Sequence, residues 1–504
     1  MTTALGIGTA CTPGVMVTDT DTDPSTTEPE TTEGPTTTVE PTTTEEPTTE
    51  EPTTETTETT ETTDPSTTIE PTTIELECEG PDGEVDESCD AETPFCVNNE
   101  CETCAGASDP DASCAGVDPA MGVCDLVDGA CVECTADNAA ACSDATPACD
   151  ELSLECVACT EHSQCPDSAC ELTTGSCFPA DAVLYVDKAF GMCEQSDGSF
   201  EAPFCDVALA FAYIGENNEP PAPWTVKVIG AGVYTHEVLL TPESSTIALM
   251  ADGVAVRIRG TSNEADSASI KVTAGSTLYS SHISYDNHED QNGVGCEGGT
   301  LWLSDASVSN NAAYGLFLVD CEAHARRLAV WNNSEGGVYA TGLMSETHID
   351  TTYITENGSP QSLFGGVGST GGNALSLNFV SLINNLGNGT ASVHCSNSAG
   401  VAIRNSILVG FNQPTIDCDT LTIDTSATDV GDDLGTGNLL IEPGASDDWF
   451  SPMNALYKPE AEIEGMPSPL TDVADWAEGD PRYDYSGQLR SLGGADFPGA
   501  DLPD

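Results

Sequence analysis

Thr300-Leu-Trp-Leu-Ser-Asp-Ala-Ser-Val-Ser-Asn-Asn311, Ala325-Arg-Arg-Leu-Ala-Val-Trp-Asn-Asn333, Ile349-Asp-Thr-Thr-Tyr-Ile-Thr-Glu-Asn-Gly358 and Leu377-Asn-Phe-Val-Ser-Leu-Ile-Asn-Asn385 follow one another between Val294 and Asn385. Each is a run of alternating β-formers that ends in Asn, and the unit recurs at roughly 22 to 27 residues, the signature of a solenoid. Set in register, Leu303, Ala325, Ile349 and Leu377 share one column, and Val308, Val330, Ile354 and Leu382 share another. One coil cannot bury such a face alone. Coils must therefore stack with their strands paired in parallel at about 4.8 Å. Asn at a strand end tolerates left-handed backbone angles and bonds its neighbours above and below, as in an Asn ladder. An all-β parallel β-helix meets these requirements.

Outward from that stretch, the 504-residue chain is strongly acidic, with 85 Asp plus Glu against 11 Lys plus Arg and a first basic residue at Lys188. Such a chain repels phosphate backbones and anionic membrane surfaces, which leaves divalent cations, a cationic partner, or plain solubility as the meaning of the charge. Of 23 cysteines, 16 lie between Cys78 and Cys177 beside a lone His162, which argues for disulfides in an oxidising, extracytoplasmic compartment rather than zinc sites.

Five segments are expected. Residues 1–11, Met-Thr-Thr-Ala-Leu-Gly-Ile-Gly-Thr-Ala-Cys11, resemble the end of a bacterial lipoprotein signal, with Cys11 as lipid acceptor. Lipidation of Cys11 would leave an even number of cysteines to pair. Residues 12–77 are an acidic Thr/Pro stalk with too little apolar surface to fold. Asp19-Thr-Asp-Thr-Asp23 lacks the Gly and Glu of a calcium loop.

Residues 78–179 divide into four modules of four cysteines: Cys78, Cys89, Cys96, Cys101; Cys104, Cys114, Cys124, Cys131; Cys134, Cys142, Cys149, Cys156; and Cys159, Cys165, Cys170, Cys177. About 20 residues cannot enclose a core, so two disulfides per module replace one, with three connectivities open in each. The Cys-x-x-Cys junctions lack the βαβ context of a redox motif. These repeats resemble Cys-rich arrays of secreted myxobacterial proteins. Residues 180–465 form the β-helix and 466–504 a closing segment.

The order Val183-Leu-Tyr-Val-Asp187, a polar loop, and the helical Asp206-Val-Ala-Leu-Ala-Phe-Ala-Tyr-Ile214 resembles the opening of pectin-lyase-like right-handed β-helices. A cap there would cover an otherwise open sheet end. Cys193 and Cys205 flank the loop and are expected to pair, as are Cys296 and Cys321, one repeat apart. Near the end, Ser468-Pro-Leu-Thr-Asp-Val-Ala-Asp475, Asp484-Tyr-Ser-Gly-Gln-Leu-Arg490 and Asp496-Phe-Pro-Gly-Ala-Asp501 resemble the closing motifs of secreted bacterial β-helix proteins, with departures at Val473, Ala474, Ser486 and Asp501.

The resemblance implies a place for chemistry, since polysaccharide lyases and hydrolases of this fold set acids, a base and often calcium on one outer strand stack. In the register above, His324 and His348 share a column, Arg326 stacks with Asp350, and Arg327 lies beside Asp305. Arg would neutralise a uronate and His or Asp would move a proton. The same charges also suit simple decoration of a sheet face. A loop with His282, Asp286, His288, Glu289 and Asp290 is a weaker metal candidate, and Asp429, Asp432 and Asp433 with Asn438 supply hard oxygens for calcium. No nucleophile elbow, phosphate loop or zinc-protease helix is present.

The expectation is thus a monomeric, surface-anchored or secreted protein that binds an extended polysaccharide or cell-surface ligand without chemistry. It needs no cofactor, and membrane contact is only through the lipid. The alternatives are a polysaccharide lyase or glycoside hydrolase, and a structural spacer.

Overall fold

The computed structural model describes residues 77–503 apart from 91–92, 144, 220, 263, 265, 287–290, 344, 411–414, 431–434, 443–448 and 454–455. The expectations for the signal, Cys11 and nearly all of the stalk lie outside the described residues. Glu75–Asp504 form one compact unit, and no described helix is long and apolar enough to cross a membrane.

Three ladders of parallel strands wind into a solenoid. The first face runs from Val183–Val186 through Thr277–Ser281 and Glu346–Asp350 to Leu421–Asp424, and the second from Gly232–His236 to Leu439–Leu440. The third is an eight-stranded sheet from Leu239–Leu240 to Ile416–Cys418. Both inward columns are in the expected register: Leu303, Ala325, Ile349 and Leu377 pair in turn, as do Val308, Val330, Ile354 and Leu382. All eight are buried in one continuous core.

The corners explain the polar residues between strands. Where the first face turns into the second, a single residue in each coil takes positive φ: Asp305, Arg327, Thr351, Phe379, Asn405 and Thr425 lie between 48° and 53°. Thr and Phe there carry strain of roughly 1 to 2 kcal/mol each, offset by the ladders on either side. At the next corner the two asparagines of each pair divide the work. The first, Asn310, Asn332 or Asn384, takes positive φ, and Glu356 does so in the remaining coil. The second builds the ladder: Nδ2 of Asn311, Asn333 and Asn357 each donates to Oδ1 of the next Asn along, at 2.8, 2.9 and 3.1 Å, ending on Asn385. These four are at most 2 % exposed, so the chain of amides satisfies the buried corner.

The helix Val207–Asn217, with the Asp206 carboxylate on Ala208 N, packs Val207, Ala210, Phe211 and Ile214 onto the first coil. At the other end the parallel coils give way to other structure before the expected boundary at 465. Parallel pairing stops at Leu439–Leu440, and Phe450–Met453 turns back on Leu456–Pro459 as an antiparallel hairpin. Pro452, Pro459 and Pro467 in and after this hairpin offer no N–H to a further central strand. The closing segment then folds back over the outer surface. Arg490, 1 % exposed, binds the carbonyls of Gly499 and Ala500 and lies 4.0 Å over the Phe379 ring. Ala500 N donates to Ser381 Oγ.

Each Cys-rich module contains a short antiparallel hairpin and is held by two disulfides in one connectivity, first to third and second to fourth: 78–96 with 89–101, 104–124 with 114–131, 134–149 with 142–156, and 159–170 with 165–177. The Cys-x-x-Cys partners therefore belong to different bridges. Cys193–Cys205 and Cys296–Cys321 are bonded, and so is Cys395–Cys418, which staples adjacent coils of the third face.

Candidate functional site

The outward residues of the first face stack in columns that the strand register fixes. The middle column reads Thr225, Ala248, Tyr279, Trp302, His324, His348, Ser376, Ala402, Thr422. Its rings form a ladder: Trp302 and His324 lie 3.7 Å apart with an 11° tilt, and His324 and His348 lie 5.0 Å apart at 11°. Burial holds His324 below its ordinary pKa, partly opposed by the hydrogen bond to Glu322.

The neighbouring column carries Arg326, Asp350, Asn378 and Arg404. The candidate catalytic residues are thus brought together in register, but the arginines face protein. Arg326 donates to Thr160 O at 3.0 Å and lies 3.6 Å from the Glu161 carboxylate, both in the fourth module. Arg327 grips Asp305 and also reaches Glu161 Oε1 at 3.0 Å. Asp350 is half-buried between them and the closing segment, and burial raises its carboxyl to about 6 against the opposing pull of His348 and Arg326. Beyond it, Arg404 pairs with Asp480 and with Asp475 O.

The calcium candidates fare differently. Both oxygens of Asp429 accept protein hydrogen bonds, one from Gly410 N at 2.8 Å and one from Thr415 Oγ1. Asn438 bonds Ser426 N and Ile423 O. These groups close the last coils; Asp432 and Asp433 lie outside the described residues. In the other loop, Asp286 pairs with Arg257 at 3.3 Å and Arg259 at 3.8 Å, and His282 sits at a corner with φ 59°. His288, Glu289 and Asp290 are outside the described residues.

An open groove of about 660 Å³ begins at the free end of the ring ladder, floored by Ser376, Ala402 and Thr422 and edged by Glu346, His348 and Asp419. The sequence reading missed it. Its signal was the fall of the column from rings to Ser, Ala and Thr after His348.

Similarity to known proteins is thin. A family of unknown function, DUF8331, matches residues 66–183. A crystal structure of pectate lyase Pel9A is similar at 14 % identity and a TM-score of 0.36, covering 64 % of this chain and 96 % of that one. No curated protein matches the sequence.

Proposed function

We infer that this chain is a non-catalytic, extracytoplasmic binding protein whose first face holds an extended, largely uncharged polysaccharide in the groove from His348 to Thr422. The supporting observation is the state of the cations. All eleven Lys and Arg side chains contact other parts of the chain; Arg326, Arg327 and Arg404, the three on this part of the face and its corner, are bound to Glu161, Asp305 and Asp480. Among the described residues the groove is edged by Glu346 and Asp419, and no Lys or Arg lines it. A polyuronate would meet repulsion there, whereas hydroxyl-rich sugars find His348, Ser376, Thr420 and Thr422 as hydrogen-bonding partners and one free imidazole face for stacking. The paired cysteines of the modules support an extracytoplasmic setting, with Cys11 as the proposed anchor.

The test is retention of the full-length protein on immobilised neutral, uronate and amino-sugar polysaccharides, beside Ser376→Trp and Ala402→Trp, which fill the groove from outward positions. Retention on a neutral glycan that both variants lose supports the reading. New reducing ends or unsaturated uronate from any substrate would replace it with an enzyme. No retention on any polymer would leave a spacer.

A further inference from the structure

The middle column does not end where the groove does. On the far side of His324 it continues through Trp302, Tyr279 and Ala248, and there the fourth Cys-rich module lies on it. Phe178 and Ala169 cluster with Ala248 and Tyr279, and the Phe178 and His162 rings meet Tyr279 edge-on at 5.8 and 6.0 Å. Lys227 Nζ binds Pro166 O at 2.6 Å, and Arg326 and Arg327 hold Thr160 and Glu161. Tyr279 is 1 % exposed although its side chain points away from the solenoid interior.

We propose that the fourth module is an acid-released cover over this half of the face, with His162 as the trigger.

The geometry around His162 requires the neutral ring. It is 7 % exposed, and its Nδ1 accepts the Cys170 N–H at 3.2 Å, so the remaining proton is on Nε2. Adding a proton to Nδ1 removes that acceptor and leaves a charge in a buried site. The groups that face the ring from the solenoid are Arg326 and His282, which oppose the charge, and Asp305, which favours it; Tyr279 contributes a ring edge. Glu161, next to His162 in the module, is already paired with Arg326 and Arg327. Burial and Arg326 lower His162 from 6.5 to about 4. Release removes the solenoid's share of the burial and the repulsion from Arg326 and His282, so the released ring takes up a proton at a higher pH than the docked ring, whose value is about 4, and docking weakens as pH falls toward 4. The full shift of two and a half pH units sets an upper bound of roughly 300-fold on the change in the docking equilibrium.

Release would uncover the rings of Tyr279 and Trp302 in line with the groove. At about 4.8 Å per coil, the coils of Trp302, Tyr279 and Ala248 lengthen the path for a polymer by roughly 15 Å. This consequence rests on the proposed glycan-binding role; the release itself does not.

Hydroxyl-radical footprinting of the full-length, disulfide-intact protein from pH 7.5 to 4 reads it directly. Oxidation of Tyr279 and Phe178 is expected to rise by roughly an order of magnitude between pH 6.5 and 4, while Tyr285, inside the solenoid, stays protected. His162→Gln and His162→Asn keep an acceptor that does not titrate, and should hold the neutral-pH pattern throughout. A flat Tyr279 profile in the wild type, the same rise in both variants, or a parallel rise at Tyr285 would each overturn the proposal. Because no ligand is used, the result is independent of which glycan is bound.

Discussion

The guanidinium of Arg327 holds the carboxylate of Asp305, one coil away, with Nε–Oδ1 at 2.6 Å and Nη2–Oδ2 at 2.8 Å. Both residues stand at the same corner with positive φ, so the fork ties two strained turns together while Nη1 reaches the fourth module. Arg327 is only 11 % exposed and Asp305 24 %, which sets the pair between surface and interior cases. Arg327→Ala should lower stability by about 2 kcal/mol in urea unfolding, and Arg327→Lys, which keeps charge but not the fork, by about 1 kcal/mol. A loss under 0.5 kcal/mol for the Ala variant would mean that the corner is held by the backbone alone.

The Asn ladder is the stronger test of the solenoid. Asn357 donates to Asn385 and to Val330 O and accepts from both the side chain and the backbone N of Asn333. Asn357→Ala strands buried donors on one side and an acceptor on the other, at an expected cost of about 3 kcal/mol. The equivalent change at Asn310, at the solvent-facing first position, should cost about 1 kcal/mol or less. Comparison of the two urea midpoints decides whether the inner amides or the turn angle set the corner.

Phe364 lies across Gly368 on the third face, where a Cβ would meet ring carbons at 2.3 and 2.4 Å. The ring fills the place of the missing side chain between Tyr339 and His394, completing a stack at 5.9 and 6.2 Å. Gly368→Ala is expected to destabilise by about 2 kcal/mol through overpacking. Adding Phe364→Leu should recover part of this, so a double-mutant cycle gives a coupling of about 1 kcal/mol, and additive losses would place the two residues out of contact.

How far the sequence carried the reading varied with periodicity. The inward columns were legible because a one-residue slip would turn every apolar side chain of a coil outward, so Leu303 and Val308 fix the register of the whole stretch. His324, Arg326 and Asp350 inherited that register. What covers them did not show, because the fourth module has no period to align with the solenoid; Phe178 and Lys227 contact their partners across loops of no fixed pattern. The disulfide order was equally illegible, since four cysteines in 20 residues satisfy any of three pairings. Cys395–Cys418 is different. Its separation of 23 is close to the coil length, as the 25 of Cys296–Cys321 is, and the same argument would have paired it.

The remaining prediction concerns the carboxyl of Asp350. Burial raises it to about 6 from 3.8, so the folded protein holds this proton more firmly than the unfolded chain. Stability therefore falls as pH rises from about 4 through about 6, the opposite sign to the His162 effect on docking. Asp350→Asn keeps the shape without the ionisation. In thermal melts it should be more stable than the wild type at pH 7 by about 1 kcal/mol after allowing for solvent screening at a half-buried site, with the gap closing below pH 4. A gap that stays constant from pH 7 to pH 4 would show that Asp350 titrates like an exposed carboxylate. Arg326 and His348 would then outweigh burial, and the outer face at this point would be open to solvent rather than enclosed between the fourth module and the Asp480 arm.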